Sequence, residues 1–295
     1  MPGLETIASG AFLIALFVGL LTGMLGIGGG FLMTPALIIF LGVPGPTAIG
    51  TGMATILATS SFAMLKRRRT GTIDVKLSFS IIAGGLLGIG VGIHLLEILK
   101  HSAHVVINGH ELEAVEYVLM WAFAVLLLSI AGYLCFDHFQ TRGQTLQKRV
   151  GLLAAVKVPP YSYYDSLEQP RLSVSSLILL GLGVGVLTGL MGVSGGIFLL
   201  PALIYLVGQR ATKAAGTSLL IVWVSSLVAV ALNMKYGNIH LLLWAVMTVG
   251  GMIGVFFGTR IGLKAEESKL RACFIYVVLG AFLLVCYKIV ALTFG

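Results

Sequence analysis

Polar positions along this chain are few and bunched. Between them run apolar stretches at about 7–25, 31–41, 48–65, 77–99, 115–136, 174–191, 197–207, 216–234, 241–262 and 271–292. Several are long enough for a helix of about 20 residues, the length that spans a hydrocarbon core of about 30 Å. Two are not. The stretches at 31–41 and 197–207 hold about eleven residues, or about 16 Å of helix, roughly half a bilayer. Both follow a glycine cluster, and both are second in a series of five. The pattern predicts an all-α polytopic membrane protein of ten segments.

The series of five occurs twice because the sequence does. Residues 22–38 read TGMLGIGGGFLMTPALI and residues 188–204 read TGLMGVSGGIFLLPALI, at a constant offset of 166 (Thr22 to Thr188). The register holds without a gap from Gly19 and Gly185 to Gly92 and Gly258, with about two dozen identical pairs, mostly Gly, Pro, Thr or small residues. A repeat of this size in an apolar chain points to a transporter made of two related halves, with its site where they meet. The expected organisation is a first membrane repeat at 1–136, a cytoplasmic linker at 137–172 and a second membrane repeat at 173–295.

Composition excludes the soluble alternative. Of 295 residues, 58% are hydrophobic and 10% charged, against about 25% charged in soluble chains. The net charge of +8 is therefore not taken as a nucleic-acid signal. Its basic residues lie in short clusters between apolar runs, as in cytoplasmic loops. The 39 glycines suggest close helix packing, broken helices, or both. The N-terminus carries no Lys or Arg before its first apolar run, so that run is expected to be a retained helix rather than a signal peptide. Cys135, Cys273 and Cys286 form no Cys-x-x-Cys pair and are expected to be packing residues.

Charge also bears on topology. If each short segment returns to its own side, the halves are parallel; if it completes a crossing, they are inverted. Lys66-Arg67-Arg68-Arg69 marks one cytoplasmic loop, and only the inverted arrangement also brings Arg210, Lys213, Arg260 and Lys264 inside, as the positive-inside rule requires. Two inverted repeats with short broken half-helices are expected. On the outer side, Asn108-Gly109 predicts a small hairpin across 105–112. His101, His104 and His110 lie in that loop, but their loose spacing fits polar cover better than a metal site. The linker, with Pro159-Pro160 and Tyr161, Tyr163 and Tyr164, is expected to be an amphipathic surface segment followed by an extended connector.

The first candidate site is the pair of clusters Gly28-Gly29-Gly30 and Ser194-Gly195-Gly196. Glycine lets the backbone turn sharply and lets a ligand approach its N–H groups. The helix start that follows offers unpaired donors and a partial positive charge, which suits an anion. Matched breaks in two halves point to a substrate site, although tight packing alone also explains such glycines. Pro35 and Pro201, five residues further on, would shape the short helices. The second candidate is Gly50-Thr51-Gly52 with Gly216-Thr217-Ser218, where the hydroxyls of Thr51, Thr217 and Ser218 either hydrogen-bond an oxyanion or only cap a helix. Arg67 and Arg69 lie where a cytoplasmic mouth would attract anions, or serve only as topology signals. The predicted spans hold almost no carboxylates; Asp74, Glu97 and Asp137 lie at boundaries, so no proton relay suggests itself. Without a Ser–His–Asp set or a cofactor motif, no enzyme, cofactor or metal is expected.

These motifs resemble the sulfite exporter TauE/SafE family of membrane permeases. The resemblance covers most of the chain and rests on the paired motifs at 22–38 and 188–204, on Ala48-x-Gly50-Thr51 and Ala214-Ala215-Gly216-Thr217, and on 69–74 with 236–239. It implies transport of small sulfur-containing anions such as sulfite, sulfoacetate and related organosulfonates. An inside-negative potential drives an anion outward by about 2.3 kcal/mol per charge per 100 mV, so export by alternating access is expected. An anion channel, a permease for another small anionic metabolite, and a membrane sensor acting through the linker stay open. The expected partners are a small anion and the bilayer, and assembly of several copies is left open.

Overall fold

The computed structural model describes residues 4–67, 71–100, 104–107, 110–140, 151–155, 158–164, 167, 171–192, 195–265 and 267–294. All ten predicted segments are helical. They are α1 (Leu4–Leu25), α2 (Gly30–Leu41), α3 (Gly45–Arg67), α4 (Val75–Lys100) and α5 (Ala114–Gln140) in the first half. The second half has α6 (Val174–Met191), α7 (Gly196–Pro201), α8 (Ala211–Lys235), α9 (Leu241–Lys264) and α10 (Glu267–Phe294). Helix α7 runs on into a π turn, Ala202–Leu206. Among the described residues, six helices are long and apolar enough to cross a membrane. Large apolar side chains stand on the outer surface, including Leu179 at 70% exposure, Leu87 at 68% and Tyr276 at 75%. A continuous apolar exterior of this kind suits lipid and not water. The chain is an all-α polytopic membrane protein.

Helix packing explains much of the glycine content. Helix α4 lies against α6 and α1 against α9, the two most extensive helix pairs in the molecule. In the first pair Gly84, Gly88 and Gly92 face Gly181, Gly185 and Gly189; in the second Gly250, Gly254, Gly258 and Gly262 face Gly19, Gly23 and their neighbours. These are matched stripes, since 84, 88 and 92 plus the repeat offset give 250, 254 and 258. A Cβ on Gly88 would stand 2.3 Å from the Leu182 carbonyl oxygen, and one on Gly254 2.1 Å from that of Leu16. Lipid gives no hydrophobic drive for helix association, so close backbone contact supplies the attraction. Both pairs join the first helix of one half to the fourth helix of the other.

The order of contacts fixes how α3 and α8 run. The start of α4 meets the start of α8, because the Asp74 N–H donates to Thr217 Oγ1 at 3.2 Å. The residue before α9 meets the start of α3, because the His240 N–H donates to Thr51 Oγ1 at 3.0 Å. Helix α4 follows directly on α3, and α9 on α8. Helices α3 and α8, equivalent in the repeat, therefore run in opposite directions.

Outside the bundle, β1 (His104–Ile107) pairs antiparallel with β2 (His110–Glu113), with Ile107 opposite His110. This is the strand pairing expected of the Asn-Gly hairpin; the turn residues themselves lie outside the described set. The linker differs from the extended connector expected. A 3-10 turn at Leu152–Ala155 precedes β3 (Tyr161–Tyr163), which pairs antiparallel with β4 (Arg171–Ser173). Tyr164 is buried, and its hydroxyl shares a hydrogen bond of 2.8 Å with Ser80 of α4. Apolar burial and backbone pairing hold this segment on the bundle, which composition alone did not reveal.

Candidate functional site

The helix breaks are built by left-handed glycines. Gly26, Gly28 and Gly29 have φ of 72°, 73° and 70°, and Gly192 and Gly195 have 68° each. A side chain at such angles is strained, so the chain turns here because nothing but glycine stands at the turning points. Gly29 and Gly195 are the N-caps of α2 and α7, and neither helix start has a side-chain cap. Ser194 lies outside the described residues. Pro35 lies buried within α2, and Pro201 ends α7 where the π turn begins.

The two breaks touch. A Cβ on Gly196 would lie on the backbone carbonyl of Ile27, so bare backbone faces bare backbone there. Each break also packs on the third helix of the opposite half. Gly26 abuts the Ala215 carbonyl, and Gly192 abuts Ile49; positions 215 and 49 are again equivalent. The structure thus brings the two breaks into contact at Ile27 and Gly196, while Gly29 packs on Val18 and Thr22 and Gly195 on Val184 and Thr188 of the helix before each break.

Thr51 and Thr217 are fully buried but face elsewhere. Each accepts a backbone N–H from the loop before the fourth helix of the other half. The glycines beside them make room: a Cβ on Gly50 would stand 2.3 Å from the Asn238 carbonyl oxygen, and one on Gly216 2.6 Å from that of Thr72. Asp74 and His240 then cap α4 and α9, with Asp74 Oδ1 accepting from Leu77 N at 2.9 Å and His240 Nδ1 from Leu243 N at 3.3 Å. Thr217 also accepts from Gln209 Nε2 at 3.0 Å. Ser218 gives its hydrogen to backbone carbonyls, at 2.8 Å from Gly26 O and 3.1 Å from Ala215 O. It locks the break in place and is not free to hold a ligand.

Two cavities open beside these junctions. One of ≈ 270 Å³ is lined by Gly71, Thr72, Asp74, Lys76, Tyr164 and Lys213, so it carries two ammonium groups next to the loop that binds Thr217. The other, ≈ 230 Å³, is lined by Leu41, Pro44, Thr47, His240, Leu243 and Val246 among others, and is apolar apart from His240 and Thr47. Arg67 does not stand in a mouth. Its guanidinium is buried, and Nη2 donates to the Gly23 and Met24 carbonyls at 3.0 and 3.2 Å, capping the C-terminal end of α1. Arg69 lies outside the described residues.

Three features escaped sequence reasoning. Gln209 ties the loop before α8 to Thr217, but Val43 at the matched position gave no hint of it. Tyr164 closes one wall of the charged cavity. Thr34 stands in the short apolar segment opposite Leu200 of the second copy, and that mismatch was the available signal. Among the described residues no cluster of three His, Cys, Asp or Glu side chains could hold a metal.

Comparison with known proteins places this architecture. The family described as Sulfite exporter TauE/SafE matches residues 11–285. The chain is 25% identical over 268 residues to the probable membrane transporter protein YjnA of Bacillus subtilis, covering 90% of this chain and 95% of that one. It is also 25% identical over 289 residues to a probable membrane transporter protein of Xylella fastidiosa strain Temecula1, covering 96% and 94%. A probable membrane transporter protein of Methanocaldococcus jannaschii, MJ0441, matches at 24% over 196 residues, 65% of this chain and 59% of that one. No solved structure matches.

Proposed function

The chain belongs to the sulfite exporter TauE/SafE family and is a multi-pass membrane transporter; from that premise we propose that it carries small sulfur-containing anions, sulfite or an organosulfonate, outward across the cell membrane. The observation that carries this reading is the pair of matched helix breaks meeting at Ile27 and Gly196. Irregular backbone at membrane depth is tolerated where protein or a watery cavity covers it, and discontinuous helices facing one another are how transporters build midplane sites. The start of α2 presents N–H groups without a side-chain cap, which suits an oxyanion and would repel a cation.

The opposite run of α3 and α8, and the exchange of first and fourth helices between halves, support an inverted-repeat arrangement with alternating access. In that arrangement the cavity holding Lys76 and Lys213 is the cytoplasmic approach, where positive charge concentrates the anion. The apolar cavity beside His240 lies on the far side. Gly28, Gly29, Gly30, Gly195 and Gly196 line the central junction. Thr51 and Thr217 hold the flanking loops, and in this reading their hydroxyl hydrogens are the donors left for an oxyanion. Ser194 is assigned to the same junction from its sequence position.

The test is transport by purified protein in liposomes loaded with sulfite or sulfoacetate. Efflux should rise when the loaded side is made negative, by the electrical work of about 2.3 kcal/mol per charge per 100 mV. Accumulation of the anion on the negative side, or no movement of any sulfur oxyanion, would sink the proposal.

A further inference from the structure

The buried threonines of this protein satisfy their hydroxyls in regular ways. Thr22, Thr55, Thr59, Thr188 and Thr259 each donate to the carbonyl four residues back, at 2.8–3.0 Å. Thr51 and Thr217 accept N–H groups from loops. Among the described residues that are fully buried threonines, Thr34 is the exception, and the hydroxyls of Ser226 and Thr248 share its lack of a partner elsewhere in the bundle. Thr34 is fully buried within α2, and its Oγ1 has no hydrogen-bond partner among the described residues. A buried hydroxyl left unpaired costs stability, and a ligand oxygen beside it would relieve that cost.

The position of Thr34 shows where such a partner would sit. A Cβ built on Gly192, at the second helix break, would lie 2.9 Å from Ile49 and 3.1 Å from Thr34 Oγ1, so that side of the hydroxyl is closed. A Cβ on Gly52, about two turns into α3, would find nothing nearer than 3.8 Å, and its nearest atom is Thr34 Oγ1. The hydroxyl therefore looks into a space about one methyl group deep, between α2, α3 and the end of α6. The equivalent place in the other half is filled. There Leu200 replaces Thr34 and Ser218 replaces Gly52, and the Ser218 hydroxyl is bonded to the Gly26 carbonyl. The repeat is thus plugged on one side and left open, with an unpaired donor, on the other.

We infer that Thr34 donates its hydroxyl hydrogen to an oxygen of the transported sulfur oxyanion, and that Gly52 stays bare to leave that oxygen room. This rests on the anion-transport proposal and adds to it an off-axis ligand position that the repeat symmetry does not duplicate. Packed among Met33, Ile49 and Gly192, the donor lies in surroundings of low polarity, where a charge-assisted hydrogen bond is strong.

The experiment measures sulfite and sulfoacetate binding, with chloride as control, and thermal unfolding, on the full-length protein in detergent. Thr34→Val keeps the shape and removes the donor; Thr34→Ser keeps the donor; Gly52→Ala fills the space without a clash. Thr34→Val should weaken oxyanion binding about tenfold or more with no loss of thermal stability, while Thr34→Ser stays within about threefold of the parent. Gly52→Ala should raise the unfolding temperature, since alanine favours helix over glycine, and still weaken binding. Parent-like binding by both Thr34→Val and Gly52→Ala would overturn the inference and leave the transport proposal standing. Weak binding accompanied by a lowered unfolding temperature in both would mark the site as packing and overturn it too. A parent protein that binds none of the oxyanions would overturn both together.

Discussion

The two junctions where a loop docks on a third helix share a backbone and differ in chemistry. At one, the loop 71–74 lies on Gly216 and Thr217; at the other, 237–240 lies on Gly50 and Thr51. The left-handed glycines Gly71 and Gly237 turn the two loops at φ 63° and 68°, and in each the residue that bonds the threonine also caps the following helix. Yet one cavity presents Lys76, Lys213 and Asp74 under a lid of linker, and the other presents aliphatic side chains and a single histidine. Duplication preserved the hinge-like joint, because a glycine and a hydroxyl are what the close approach requires. It left the lining free to diverge, because the lining meets only what passes by. The identities therefore frame both ends of the molecule alike, and the differences decide what each end presents.

The sharpest contrast is expected from the threonines. Thr217→Val strips an acceptor from two donors, the half-buried Asp74 N–H and the buried Gln209 Nε2, whereas Thr51→Val strips it from one, the half-buried His240 N–H. Each stranded donor costs about 1–3 kcal/mol. Thermal or denaturant unfolding in detergent should show Thr217→Val as the more damaging change. Equal losses would mean that Gln209 contributes nothing to the joint. The glycines should instead behave alike. Gly216→Ala and Gly50→Ala both push a methyl against a loop carbonyl, at 2.6 and 2.3 Å, and each should cost about 1–3 kcal/mol by overpacking. A tolerated alanine at either place would break the equivalence of the joints.

These joints show what the sequence could and could not disclose. The ten segments, the short second helices and the hairpin at 104–113 were legible, since apolar length and turn chemistry are local properties. The glycine stripes on α1, α4, α6 and α9 were legible only as an excess of glycine. Which helices they join depends on a crossing between halves that no local pattern records. The same holds for the site. The helix breaks at Gly28–Gly30 and Gly195–Gly196 were legible through repetition, whereas Thr34 and Gln209 sit where the two copies differ. Arg67 resembled a surface charge because its neighbours are basic; its role as a buried cap of α1 depends on carbonyls more than forty residues away.

Charge at the linker-covered junction gives the next prediction. Replacing Lys76 and Lys213 together with glutamine should change folding stability by about 1 kcal/mol or less, as is usual for accessible charges. It should slow anion uptake from that side several-fold at low salt, an effect that fades as salt screens the field. Transport into liposomes at two ionic strengths reads this directly. A salt-independent loss would mean that the lysines hold structure and do not attract substrate. His240→Gln, at the apolar junction, should show no such salt dependence.

The smallest effect concerns the linker. Tyr164 is bonded to Ser80 one turn and a half beyond the start of α4, and Lys76 reaches back to the Tyr163 carbonyl at 2.8 Å while its ammonium lies 5.5 Å from the Tyr164 ring centroid. Beyond it, Leu167 pairs through the backbone with Gln209, whose side chain reaches Thr217. The linker therefore touches the charged junction from both sides, through α4 and through Gln209, while among the described residues the cavity beside His240 has no linker residue in its wall. Tyr164→Phe removes only the hydroxyl contact and should cost about 0.5–1.5 kcal/mol. If the linker steadies this junction, the same change should alter transport rate from the lysine side more than its small stability cost accounts for, and Ser80→Ala should reproduce it without adding to it. Additive losses in the double variant would show that the two hydroxyls act apart and that the linker merely covers the cavity.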